Sequence, residues 1–250
     1  MKKYLVKWVL FDLYETILLT RQVIHYLIEN KVLWKIFKKH GIHSPREKFY
    51  IKLLEIKEKF PQNKKLKHNY IIEQAIAKEF GFDILIEEAK AIHQEQYLSK
   101  KAHAKLAPKF KELIHWLKKR GIRIAIISNA YTQSTLRNLE HHGINTLFDE
   151  IIISDSVGGT KSELIPFKKF LERYPEVSPK ECLMIGDSFY EDAASQKVGI
   201  PAAIFETSFI HKKKEDLIHL KEKKLLPKYR INSLEDIKEI ILKKNDPSST

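Results

Sequence analysis

The sequence predicts an α/β fold: a doubly wound parallel sheet with helices on both faces, interrupted after its first strand by four helices. Three observations predict it. Tyr4 to Phe11 is a continuous apolar, β-prone run ending at Asp12, which suits a strand buried on both faces. From about residue 20 to about residue 100 the apolar residues keep helical spacing and no strand-like run occurs. Beyond Pro108 short apolar runs alternate with amphipathic stretches, the pattern of parallel strands joined by crossover helices.

The first helix is expected over Thr20 to His40, where Val23, Ile24, Leu27 and Ile28 are followed by Leu33, Trp34 and Phe37, with Gly41 as the stop. Ser44-Pro45-Arg46-Glu47 is a capping box with proline at the first helical position. The helix it opens carries Tyr50, Leu53 and Leu54 and ends at Pro61. A third helix runs from Asn69 to Phe80 before Gly81, and Asp83 caps a fourth from Ile84 to about Leu98. Four helices with one apolar face each form a small bundle, with Trp34 and Phe37 in its core. Then come a helix on Phe110, Leu113, Ile114 and Leu117; a strand over Ile122 to Ile127; a helix over Thr132 to His142; and a strand over Glu150 to Ile153. A helix over Pro166 to Arg173, a strand over Cys182 to Ile185, a helix over Asp192 to Val198 and strands at Ala202 to Phe205 and Arg230-Ile231 follow. Ser233 caps the last helix. One strand cannot be stable alone, so the first belongs to the later sheet. The expected domains are residues 1–18 with 104–250, and the inserted bundle over 19–103.

Composition narrows the function. The apolar fraction of 43% and aromatic fraction of 10% exclude a disordered chain. The single cysteine, Cys182, excludes an internal disulfide or a cysteine-based zinc site and points to a reducing compartment. No apolar run reaches the ~20 residues of a membrane span, and Lys7, Asp12 and Glu15 break the apolar start; the expectation is a cytoplasmic protein with no membrane partner. The net charge is +13, yet only seven of the 45 basic residues are arginine. Bidentate reading of bases and phosphates leans on arginine, and the runs Lys64-Lys65 and Lys212 to Lys214 lack interleaved aromatics. The charge therefore reads as a lysine-rich, thermophile-like surface rather than a nucleic-acid interface. A positive field also draws small anionic, phosphorylated substrates. No heptad pattern assigns an oligomeric state.

Polar residues gather just past the strands: Asp12 with Thr16, Ser128 with Asn129, Lys161, and Asp187 with Asp192. In an open parallel sheet the ligand crevice lies at those ends. Of the eight glycines, Gly158, Gly159 and Gly186 fall in the same loops, and the other five fit helix ends. Taken singly, each residue is an ordinary turn or cap residue; the ordered set carries the signal.

That set, Asp12-Leu13-Tyr14-Glu15-Thr16, Ser128-Asn129-Ala130, Gly159-Thr160-Lys161 and Gly186-Asp187-Ser188 with Asp192, resembles the haloacid dehalogenase-like (HAD) hydrolase superfamily. The likeness implies a Rossmann-like core with the bundle as an α-helical cap between the first and second motifs. It implies Asp12 as nucleophile, forming an aspartyl-phosphate, and Lys161 as the charge facing the transferring group. Ser128, Asn129 and Thr16 would bind substrate oxygens. Mg²⁺ would be held by Asp12, the Tyr14 backbone carbonyl, Asp187 and Asp192.

Tyr14 departs from the family pattern, in which phosphatases usually carry a second Asp two residues after the nucleophile. A tyrosine, with a reference pKa near ~10, is a poor base. Three readings follow. A Mg²⁺-dependent phosphatase with a weakened acid–base step is favoured by the intact acidic motif, and activated donors such as acyl or aryl phosphates would suffer least. A 2-haloacid dehalogenase would explain Tyr14, but that branch usually replaces the final acidic motif. A non-catalytic binding or regulatory protein is the third, motivated also by Ser162 where the family has proline.

Overall fold

In the computed structural model, residues 5–19, 22–45, 48–53, 69–101, 104–130, 132–206 and 226–244 are described. The chain divides into two compact units, Met1–Leu19 with Lys105–Thr250, and Thr20–Ala104. No described helix is long and apolar enough to cross a membrane.

The first unit is built on a six-stranded sheet. Its strands are β1 (Trp8–Phe11), β4 (Arg123–Ser128), β5 (Glu150–Ile153), β6 (Cys182–Gly186), β7 (Ala202–Phe205) and β8 (Tyr229–Ile231), in the order β5-β4-β1-β6-β7-β8. All pairings are parallel. β1 lies between β4 and β6, with Phe11 in register with both Ile126 and Ile185. The central position explains why all four β1 residues are buried. Successive side chains alternate between faces. Val9, Phe11, Ile124, Ile126, Leu183 and Ile185 share one core with helices α5 (Phe110–Lys118), α6 (Thr132–His141) and α9 (Asp236–Lys244). Trp8, Leu10, Ala125, Ile127 and Met184 share the other with α8 (Ile165–Arg173) and Ala193-Ala194.

The chain runs outward from β1 to β4 and β5, then returns to β6 on the other side. β1 is thus the switch point at which an open parallel sheet forms its crevice.

Three local features differ from the sequence expectation. Leu18–Leu19 (β2) and Lys105–Leu106 (β3) pair antiparallel where the chain leaves and re-enters this unit; two residues each are too few for periodicity to reveal. Ser154–Val157 (α7) forms one helical turn after β5. Ala193–Val198 is a 3-10 helix, closed by the left-handed Gly199. The Ser195 amide bonds three residues back to Asp192, the tighter winding that a short, alanine-packed segment tolerates.

The second unit holds α1 (Gln22–Lys39), a helical stretch α2 over 48–53, α3 (Asn69–Glu79) and α4 (Ile86–Lys101). Its core comprises Leu33, Phe37, Phe49, Leu53, Ile76, Ala89 and Ile92, with Trp34 packed against it. Phe37 meets Phe49, Phe80 and Phe82 edge-on, with centroids 5.7, 5.2 and 4.8 Å away, the favoured aromatic geometry. Tyr4, Thr20, Arg46-Glu47 of the capping box, the Pro61 stop, both lysine runs and the tail beyond Lys244 lie outside the described residues.

Candidate active site

Asp12 follows β1 directly and is held to the sheet, its amide donating to the Ile185 carbonyl at 2.8 Å. The chain then turns tightly. The Leu13 carbonyl accepts from the amides of Ile17 and Leu18, and the Glu15 amide donates to Leu18. Glu15 takes the left-handed conformation, φ 57°, which costs a non-glycine residue roughly 1 kcal/mol. That turn buries Thr16, whose hydroxyl has no hydrogen-bond partner in the protein.

Lys161 enters from a 3-10 turn, Lys161–Glu163, started by a reciprocal capping box between Thr160 and Glu163. Its backbone amide donates to the Asn129 side-chain oxygen at 2.9 Å. Asn129 therefore ties the loop after β4 to the lysine loop, a positioning link that spacing alone did not reveal. The Lys161 ammonium is buried, 2.7 Å from Asp12 Oδ1 and 2.5 Å from Asp192 Oδ1. Ser128 is buried at the end of β4. Ser154 and Asp155, which follow β5 directly, brace the loop beyond it. Ala130 donates to Ser154 Oγ at 3.2 Å, and the Thr132 amide donates to the Asp155 carboxylate.

Asp192 is fully buried, and its Oδ2 accepts the amides of Asp187 and Ser188 at 3.1 and 2.9 Å. That closeness explains Gly186. A Cβ there would stand 2.1 Å from Asp192 Oδ2, and the carboxylate is pinned by two amides and Lys161. Gly186→Ala is expected to cost at least the ~1–3 kcal/mol typical of overpacking, read by thermal denaturation. Unchanged stability would show that Asp192 can yield.

One oxygen from each of Asp12, Asp187 and Asp192 lies within 4.8 Å of the others. Burial first, then the charges of Asp12 and Asp192, push the Asp187 carboxyl up to about 8. Burial also raises Asp192, to about 7, against the pull of Lys161. Burial alone would lower Lys161, but Asp12 and Asp192 outweigh it and hold the ammonium above its ordinary value. With all three carboxyls ionised, one ammonium leaves two negative charges, which a divalent cation would offset; three clustered oxygen ligands suit a hard cation such as Mg²⁺.

Tyr14 is half-buried and packs against the core that contains Val9 and Phe11. Its hydroxyl oxygen accepts a hydrogen bond from Asn138 Nδ2 of α6 at 2.7 Å. Asn138 was not singled out in the sequence; it shares the buried face of α6 with Thr135 and Leu139, and so mixed a face gives no periodic signal.

A model of haloacid dehalogenase-like hydrolases matches residues 6–199. A glyceraldehyde 3-phosphate phosphatase of Methanothermobacter thermautotrophicus is 31% identical over 125 residues, 50% of this chain and 54% of that protein. The chain thus spans about half of that relative's length. A glyceraldehyde 3-phosphate phosphatase of Pyrococcus abyssi is 24% identical over 203 residues, 81% of this chain and 82% of that protein. Among solved structures, the HAD-hydrolase YfnB of Bacillus subtilis, described as bound to magnesium, is similar with TM-score 0.67 and 20% identity, over 94% of this chain and 98% of that one.

Proposed function

The chain belongs to the haloacid dehalogenase-like hydrolase family, and from that premise we propose that it is a Mg²⁺-dependent phosphatase acting on a small phosphorylated metabolite. The carrying observation is the cluster of Asp12, Asp187 and Asp192 around the buried Lys161. The phosphatase names of the relatives support the same reading.

Asp12, the Tyr14 carbonyl and Asp187 would hold Mg²⁺. Both oxygens of Asp192 already serve Lys161 and two amides, so Asp192 would act on the cation through water. When bound, the cation neutralises charge on the transferring phosphoryl group. A carboxylate oxygen of Asp12 attacks phosphorus in line, the bond to the leaving oxygen breaks, and the aspartyl-phosphate is later hydrolysed. Lys161 holds the Asp12 carboxylate in place and faces the phosphoryl oxygens. Ser128 and Thr16 offer hydroxyls to those oxygens, and the unpartnered Thr16 hydroxyl is suited to that use. Asn129 acts there chiefly by fixing the Lys161 backbone. The inserted helices would serve as a cap that excludes bulk water.

The test is phosphate release from p-nitrophenyl phosphate and acetyl phosphate with Mg²⁺ and with EDTA. Release only with Mg²⁺ is expected. Metal-independent chloride release from 2-chloropropionate, without phosphate release, would replace the reading by dehalogenation.

Metal binding should also show in stability. The raised carboxyls of Asp187 and Asp192 are protonated in the metal-free fold at mildly acid pH. Their folded values exceed the unfolded value near ~4, so their contribution to stability is present below that value. It is lost as pH rises through about 7 to about 8. Mg²⁺ requires the ionised forms. Its addition is therefore expected to raise the melting temperature more at alkaline pH than at pH ~6, read by thermal denaturation with and without the metal. An equal shift at both would contradict the assigned ligands.

A further inference from the structure

Ser128 ends β4, and Asn129 and Ala130 lead from it towards α6. The segment that runs from the end of β5 to Lys161 grips this loop at both of its own ends. At its start, Ser154 Oγ accepts from the Ala130 amide at 3.2 Å and donates to the Ala130 carbonyl at 3.3 Å. Both carboxylate oxygens of Asp155 accept from the Thr132 amide, each at 3.0 Å, and Oδ1 also accepts from the Thr132 hydroxyl. At its far end, the Lys161 amide donates to the Asn129 side chain at 2.9 Å.

Asp155 thus caps α6 from 23 residues further along the chain. A side chain just before the first turn caps a helix equally well, so the stability of α6 does not by itself call for a cap on another strand. What the long-range cap adds is position. It fixes the start of α6, and with it the loop behind Ser128, against the segment that delivers Lys161. Groups that face a transferring phosphoryl group must be held to within about 0.5 Å of their working place. We propose that Asp155 is a positioning residue for phosphoryl transfer: it holds the Ser128 loop in register with Lys161, and its loss weakens the grip on the phosphoryl group while sparing the cation site. The inference rests on the phosphatase reading above. The sheet order separates the two effects, because Asp155 follows the edge strand β5, whereas the acidic cluster follows β1 and β6, beyond β4.

The full chain and Asp155→Ala are compared by calorimetric binding of Mg²⁺, by binding of inorganic phosphate in the presence of Mg²⁺, and by turnover of p-nitrophenyl phosphate well below the melting temperature. Loss of the cap should lower the melting temperature by roughly 2–4 °C. Phosphate affinity should fall about 10-fold, the effect of losing one hydrogen bond to a charged group. A misplaced loop should cost kcat/KM about 10²-fold. Mg²⁺ affinity should stay within about twofold, as for sites that share no partner. Asparagine caps helices about as well as aspartate, so Asp155→Asn should regain most of the phosphate affinity. If Asp155→Ala does not fold, Thr132→Val, which removes only the hydroxyl bond, should show the same split at a smaller size. A variant that melts lower yet keeps phosphate affinity and kcat/KM would make the cap merely structural, overturning the inference and leaving the phosphatase intact. Mg²⁺ and phosphate affinities that fall together would overturn it as well. A native protein that binds phosphate but releases none from any donor would remove the phosphatase reading, and the phosphate affinities would still decide the role of Asp155. Neither binding nor release would remove both.

Discussion

Asp12→Asn is expected to reduce phosphate release by at least ~10⁴-fold, the scale seen when a covalent nucleophile is lost. The substitution keeps the shape of the side chain and removes its negative charge. An amide oxygen neither attacks phosphorus usefully nor offers a full charge to a cation. The effect on stability should be small by comparison, because two terms oppose. The buried pair with Lys161 at 2.7 Å is weakened. The repulsion that Asp12 exerts on Asp187 and Asp192, part of what raises their carboxyls, is relieved. Phosphate release measured beside thermal denaturation separates a lost nucleophile from a lost fold. A variant with more than ~1% residual activity, against the loss expected for a nucleophile, would place the attacking group elsewhere.

Much of this site was legible because the sheet does the gathering. Once β1, β4 and β6 are recognised as buried parallel strands, Asp12, Ser128 and Asp187 must meet at one edge, since each follows or ends its strand. Lys161 and Asp192 were found by their order in the motifs, and the structure brings both to Asp12. What was not legible lies in side-chain direction. The carboxamide of Asn129 turns to the Lys161 amide, the Thr16 hydroxyl stays without a hydrogen-bond partner in the protein, and the Tyr14 hydroxyl turns to α6. No periodicity encodes such choices; they follow from packing and from the tight turn at Glu15. The 3-10 winding of Ala193–Val198 is similar, for its apolar pattern also fits one turn of α-helix.

Lys161→Met is the second large effect expected, and it separates charge from packing. Methionine fills most of the space of the lysine stem, so the loss is mainly that of the ammonium. Removing it leaves Asp12, Asp187 and the fully buried Asp192 facing one another. Breaking a buried ion pair from one side costs about 3–5 kcal/mol, and loss of charge stabilisation at the phosphoryl group should lower turnover by about 10²–10³-fold. The stability loss should depend on pH, and the sign follows from the carboxyls. Lys161 pulls the Asp192 carboxyl down in the native protein, against burial. Without it that carboxyl rises further. A raised folded value means stability present below the unfolded value and lost as pH rises through the folded one. The variant should therefore come closest to the native protein in acid, where the carboxyls hold protons, and fall furthest behind above neutrality. Mg²⁺ should recover part of the alkaline loss by supplying positive charge to the same oxygens. Urea denaturation on either side of neutrality, with and without Mg²⁺, measures all three effects. A destabilisation independent of pH would mean that the lysine stem, rather than its charge, is what the fold requires.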